Sequence, residues 1–247
     1  MVNFKNGVRV VTVPSWQDFR QEAIALKSKR GFVWRGQTRD RLLRPSFDRA
    51  VVTKDPHYRI KKLERHLETF RIAMDKSYPN VLPKSALDAW ALGQHYGLMS
   101  PFLDWTTSSD IAAYFAFIKK PDPSRTDKFR FVYALDRSIE RLVSKLKLGG
   151  MVLTRDQSVP FVDHLVLPNP RFIAQKGLFT NQLHGKGIEE FVNAFAGKKP
   201  GDVFLVKFRI PTKFRDECLE DLQARGIDHT TLLLDLSDVV DECNKKL

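Results

Sequence analysis

The sequence predicts one α+β domain. Helix-period and strand-period segments alternate along the chain without the regular β-α-β succession of a parallel sheet, and no linker, repeat or low-complexity tract divides residues 1–247. At 247 residues with 43% hydrophobic and 28% charged residues, the chain is long enough to bury a sizeable core.

The elements follow in order. Ser15 is placed to cap a helix carrying Trp16, Phe19, Ala23 and Leu26 at helical spacing, with Gly31 as its stop. Phe32-Val33-Trp34-Arg35-Gly36 reads as a strand whose exit carries Arg35, with Gly36 turning the backbone. Residues 37–56 are polar, Arg-rich and interrupted by Pro45, hence loop or short helical pieces. Ile60, Leu63, Leu67, Phe70 and Met74 then form the buried stripe of a surface helix, with Lys61, Lys62, Arg65, Glu68 and Arg71 on its other faces. Ser85 opens a second helix running into Gln94-His95-Tyr96-Gly97. Leu103-Asp104-Trp105-Thr106 reads as a strand, after which Thr107 or Ser108 caps a densely apolar core helix through Ile111, Ala112, Phe115 and Ile118.

Beyond residue 123, Phe129, Phe131, Tyr133 and Leu135 alternate with Arg130, Val132 and Ala134, the period of a strand. A helix is expected over 139–146, then a long Pro-containing loop from 150 to 170. Two further strands, 203–210 and 231–236, flank a helix over 214–222 that stops at Gly226.

Charge narrows the partners. The formal charge is +12, and residues 27–71 alone hold 14 Lys and Arg against 5 Asp and Glu. Such a basic segment fits an anionic partner, and equally a solvated helix and loop. Two cysteines, Cys218 and Cys243, give no disulfide framework. The longest apolar run, Ile111 to Ile118, is 8 residues, too short to span a bilayer, and no signal-like segment opens the chain. The expectation is a cytoplasmic protein with no membrane partner. The six histidines show no ligand spacing, so no metal is expected.

Three separated segments concentrate polar groups among aromatics and glycine: 32–37, 91–106 and 171–179. A planar guanidinium at a strand end beside glycine suits a phosphate, so Arg35 is a candidate anion clamp. An ion pair from Arg35 to Asp104 or Asp110 accounts for it equally well. Arg39, Arg41 and Arg44 make a candidate nucleic-acid-binding surface.

These segments resemble the FRG domain, a bacterial family with an aromatic-Arg-Gly signature, here Trp34-Arg35-Gly36. The resemblance runs from about residue 15 to 240, through Gln94-His95-Tyr96-Gly97, Leu103 to Thr106, the Arg171/Gln175/Gly177/Phe179 spacing and Leu232-Leu233-Leu234-Asp235-Leu236. A second likeness is to ADP-ribosyltransferases of the Arg-Ser-Glu class, which implies a split β-sheet core with surrounding helices and NAD as co-substrate. Carried over, it implies catalytic roles for Arg35, Thr106, Gln175 and His95. The NAD contacts it implies are Arg35, Gly36, Gln94, Tyr96, Asp104, Trp105, Thr107, Ser108, Arg171 and Phe179.

The third motif of that class, Glu-x-Glu, is absent. Gln175 stands in a plausible third position, and an amide holds a ribose hydroxyl without supplying negative charge or a general base. Asp104, Glu189 or Glu190 remain alternatives for the carboxylate, although Glu189-Glu190 reads as a solvated helical pair. The resemblance implies transfer of ADP-ribose to a macromolecule, with DNA or RNA as an acceptor fitting the charge, and a toxin or phage-defence role with a cognate antitoxin. The alternative is a non-catalytic nucleic-acid or nucleotide-binding module.

Overall fold

The computed structural model describes residues 2–5, 7–27, 31–53, 55–122, 124, 127–140, 161–162, 170–182, 187–196 and 203–233. Its strands are β1 (Val2–Lys5), β2 (Val8–Thr12), β3 (Phe32–Gln37), β4 (Phe102–Thr106), β5 (Phe129–Asp136), β6 (Phe161–Val162), β7 (Gly177–Asn181) and β8 (Leu205–Pro211). The helices are α1 (Trp16–Lys27), α2 (Ser46–Ala50), α3 (Pro56–Ser77), α4 (Ala86–His95), α5 (Ser109–Phe117), α6 (Pro170–Ala174), α7 (Ile188–Ala196), α8 (Arg215–Ala224) and α9 (His229–Leu232).

The capping residues read from the sequence act as expected. Ser15 Oγ accepts from Asp18 N–H, Ser85 Oγ from Asp88 N–H and Ser108 Oγ from Ile111 N–H, each satisfying an orphan donor of a first turn. The chain leaves α4 through Gly97 at φ +89°, a conformation that costs glycine little. Thr231–Leu236 does not begin as a strand: Asp228 and Thr231 form a reciprocal capping box that starts α9, and Leu232 is buried. A local capping pair outweighs the β-propensity of Thr and Leu there. The expected helix over 139–146 is described only at its start, where 138–140 are helical and Ile139 is buried; its remainder, most of the 150–170 loop, residues 234–236 and Cys243 lie outside the described residues, as does the exit of α1.

The strands form one eight-stranded sheet in the order β1-β2-β8-β5-β3-β4-β7-β6. Every neighbouring pair is antiparallel except β2 and β8. The sequence reading assigned neither β1 nor β2. On one face α1, α5 and α8 pack through Trp16, Phe19, Ala112, Ala113, Cys218 and Leu222 onto Trp34, Val132, Ala134, Val206 and Phe208. On the other, Ile188, Phe191 and Val192 of α7 cover Val33, Phe131, Tyr133 and Leu205. The central strand β5 is therefore buried on both faces, and its alternation separates two apolar layers instead of core from solvent. A smaller third cluster joins Phe47, Leu63 and Trp90 of α2, α3 and α4 to Phe102 and Phe179.

The sheet has one weak seam. β3 meets β5 over six residue pairs and β4 meets β7 over five, whereas β3 and β4 share the single pair Trp34 and Thr106. Past that pair the two strands part. This fork positions the candidate site.

Candidate functional site

Arg35, one residue beyond the last β3–β4 pair, bridges the fork. Its Nη1 donates to the Asp104 carbonyl at 2.7 Å, in place of a backbone N–H, and lies 3.4 Å from the Asp104 carboxylate. Asp104 is held from its other side by Gln94 Nε2, and Gln94 Oε1 accepts from Ser100 Oγ. Of the two sequence-based accounts of Arg35, the ion pair thus exists, with Asp104; Asp110 pairs with Arg225 instead. The Arg35–Asp104 pair engages only Nη1, and Arg35 Nε is buried without a partner. Burial, partly offset by Asp104, pulls the guanidinium below the ordinary arginine value.

Gly36 does different work from that expected. A Cβ built on it would lie 1.8 Å from the Ala112 carbonyl oxygen and 2.7 Å from Ala116 N, so α5 rests backbone to backbone on β3 at this point. Glycine is required here for helix–strand contact.

The fork opens into a cleft of about 660 Å³, within the range of about 300–1,000 Å³ usual for small-molecule sites. Arg35, Asp104, Trp105, Thr106, Arg171 and Gln175 border it together with Gly36, so three segments more than sixty residues apart in sequence converge. Thr106 Oγ1 accepts from Ser108 N–H at 3.1 Å, which fixes the turn into α5. Gln175 Nε2 donates to the Leu232 carbonyl at 2.9 Å, so α9 orients the amide.

Other candidates lie elsewhere. His95 and Tyr96, at the exposed end of α4, pack edge to face on each other and do not line the cleft. Phe179 is stacked on Phe102 at 5.0 Å inside the third cluster. Gln94 acts on the cleft through Asp104, Ser108 serves as the α5 cap, and exposed Thr107 donates its N–H to the Lys176 carbonyl. Glu189 is no solvated partner of Glu190: both its oxygens accept from Leu43 N–H, and burial raises its carboxyl above the usual range.

The wall also holds charged residues that were not among the sequence candidates: Arg49, Lys119, Lys120, Asp122, Asp127 and Arg130. Eight cations, Arg35, Arg39, Arg41, Arg49, Lys119, Lys120, Arg130 and Arg171, face three carboxylates, Asp104, Asp122 and Asp127. Arg39 is neutralised by Asp127 at 2.9 Å and Asp122 at 3.6 Å, and Arg44, outside the cleft, pairs with Glu190. Arg41, Lys119, Lys120 and Arg171 make no ion pair among the described residues. Arg130 is 2% exposed and ties the Thr38 and Lys119 carbonyls together, so it builds the wall. Its charge in the otherwise apolar 129–135 run was the legible signal. Trp34 Nε1, Arg35 Nε and Arg130 Nε, all on wall residues, are buried N–H donors with no partner.

No group of His, Cys, Asp and Glu among the described residues has metal-binding geometry, and no described helix is long and apolar enough to cross a membrane. No curated protein and no solved structure matches the chain. The FRG domain model matches residues 30–125, the stretch from the entry of β3 to beyond α5. This stretch contains the Trp34-Arg35-Gly36 strand, the Gln94 and Asp104 pair, the fork and the helix that closes on Gly36; the Arg171–Phe179 and Leu232–Leu236 segments fall outside it. The chain carries an FRG domain over residues 30–125.

Proposed function

We propose that the cleft binds NAD and that the protein transfers ADP-ribose to a macromolecular acceptor, on a core of the ADP-ribosyltransferase type. The observation that carries this reading is the convergence of Arg35, Thr106 and Gln175 at one fork in the sheet, in a cleft with a surplus of cations. A pyrophosphate is a ligand that such a wall suits, because it is doubly anionic and accepts many hydrogen bonds. Arg35, with Arg41 and Arg171 free of ion pairs, would hold the phosphates. Thr106 and the Trp105 edge would border the nicotinamide, and Gln175 would orient a ribose hydroxyl.

In the reaction the C1′–N bond to nicotinamide breaks, nicotinamide leaves with the electron pair, and an acceptor nucleophile bonds to C1′ and loses its proton to solvent or a carboxylate. Asp104 is the carboxylate placed for this work. Its side chain is 61% exposed at the cleft, and Gln94 and Arg35 fix its position. Negative charge there would stabilise the cationic ribosyl centre. His95, outside the cleft, has no role in this scheme. A toxin or phage-defence role with a cognate antitoxin belongs to the same reading and rests on the family resemblance.

Calorimetry with NAD and ADP-ribose, and labelled NAD incubated with DNA, RNA and lysate, test it. Arg35→Ala is expected to weaken NAD binding roughly 10- to 150-fold, the worth of a charged hydrogen bond. Absence of both binding and nicotinamide release overturns the reading. One observation favours a second: among the described residues no glutamate lines the cleft. NAD binding without nicotinamide release identifies a non-catalytic nucleotide-binding module.

A further inference from the structure

A second concavity lies along α3, away from the fork. It encloses about 670 Å³ and is lined by Tyr58, Lys61, Lys62, Arg65, His66 and Thr69, over a floor of Phe47, Val51 and Met99. Tyr58, Lys62, Arg65 and Thr69 follow i, i+4, i+7, i+11 spacing, one helical face roughly 16 Å long. Among the described residues, three cations line it and no carboxylate does; Glu64 and Glu68 of the same helix are not among its residues. Lys61, Lys62 and Arg65 make no ion pair among the described residues, in contrast to Arg39 and Arg44 of the preceding loop, whose charges are spent on Asp122, Asp127 and Glu190. The tyrosine ring is 48% exposed, with the Lys62 ammonium 5.3 Å from its centroid. His66, between the Phe47 and Trp90 rings, has a buried Nε2 with no partner.

We propose that this groove docks a single-stranded nucleic-acid segment. Cations track a phosphate backbone, and an exposed aromatic ring beside an apolar floor receives an unstacked base. An acidic peptide would use the lysines and leave the ring and floor without a partner, and a lipid surface calls for a convex face in place of a groove. Phe47 and Val51 line the groove while Arg49, between them in sequence, lines the cleft, so a docked strand lies one short helix away from the fork. The docking site stands independently of what the cleft binds; if the cleft transfers ADP-ribose, the docked strand is the acceptor.

The test is fluorescence anisotropy of the full chain with a labelled oligothymidylate across a salt series, beside polyglutamate and phosphatidylserine vesicles. The triple variant Lys61→Glu/Lys62→Glu/Arg65→Glu is expected to lower the magnitude of the log–log salt slope by about 2, three phosphate contacts at roughly 0.7 each. Tyr58→Ala is expected to weaken binding roughly 5- to 150-fold, and Tyr58→Phe to restore it, since stacking needs the ring. Calorimetry with NAD on the same variants is expected to match the unaltered protein, which separates this site from the cleft. Wild-type affinity and salt slope in the triple variant overturn the proposal. Tighter binding of polyglutamate or vesicles than of the oligonucleotide also overturns it. All these side chains are exposed or half-buried, and circular dichroism verifies that the variants fold.

Discussion

Replacing Gly36 by alanine puts the central packing claim to a quantitative test. The added methyl would sit 1.8 Å from the Ala112 oxygen, and real Cβ atoms essentially never approach closer than 3.0 Å, so α5 must withdraw by about 1.2 Å. The obstacle is backbone on two successive turns, with no flexible side chain able to yield. Withdrawal also loosens Ile111, Ala112, Ala116 and Phe117, which are buried against β3, β5 and α8. Overpacking costs about 1–3 kcal/mol where side chains adjust, and here the expected loss is at the top of that range, about 3 kcal/mol or more. For a chain of this size that is a fall in Tm of roughly 6–12 °C. Because α5 supplies Ala112 and Phe115 to the cleft wall, ligand affinity at the fork should fall with it. Gly31→Ala is the control: its Cβ meets nothing within 4 Å, and the expected change is below about 1 kcal/mol. Differential scanning calorimetry of both variants gives the comparison. A Gly36→Ala protein melting within about 2 °C of the unaltered chain would refute the backbone contact and the role given to this glycine.

Two further outcomes follow from buried charge. Arg59 and Asp48 are 3% and 6% exposed, with Arg59 Nε donating to Asp48 at 2.6 Å and Nη2 to the Gln182 carbonyl at 2.7 Å, so Arg59→Ala should cost about 3–5 kcal/mol at neutral pH in denaturant melts. Burial already raises the Asp48 carboxyl against the pull of Arg59, and losing Arg59 raises it further. The folded state then holds the proton more tightly than the unfolded chain, so the deficit should shrink as pH falls through that carboxyl's range; a pH-independent deficit would contradict the pairing. Among the five tyrosines, burial raises Tyr114 to about 12 and Tyr133 higher, whereas Tyr58, Tyr78 and Tyr96 are exposed. Ultraviolet titration should show the Tyr114 and Tyr133 phenols ionising at higher pH in the folded protein than after denaturation, with stability declining as pH rises past about 10.

Much of the site was legible from sequence because its residues cluster in short stretches of aromatic, polar and glycine residues. Arg35, Asp104, Thr106, Arg171 and Gln175 were all named from such stretches and all reach the fork. His95, Tyr96 and Phe179 belonged to the same stretches and do not. Which side of an element a residue occupies depends on what packs against it, and the end of α4 carries His95 and Tyr96 out to solvent. Arg59 was overlooked although it shares the inner face of its helix with Leu63 and Phe70, since a charge in that stripe reads as a boundary until Asp48 is seen beneath it.

By itself the sequence determined α1, α3, α4, α5 and α8, the caps Ser15, Ser85 and Ser108, the strands β3, β4, β5 and β8 and the segments that meet at the site, because hydrophobic period and capping chemistry act over a few residues. Tertiary structure alone decided that β3 and β4 touch at one pair and part into a cleft, that Gly36 receives α5, and that Arg39 and Arg44 are neutralised while Lys61, Lys62 and Arg65 of α3 make no ion pair among the described residues. Those outcomes turn on partners as many as 146 positions apart, such as Arg44 and Glu190, and no local pattern records which distant groups the packing of the sheet will bring within reach.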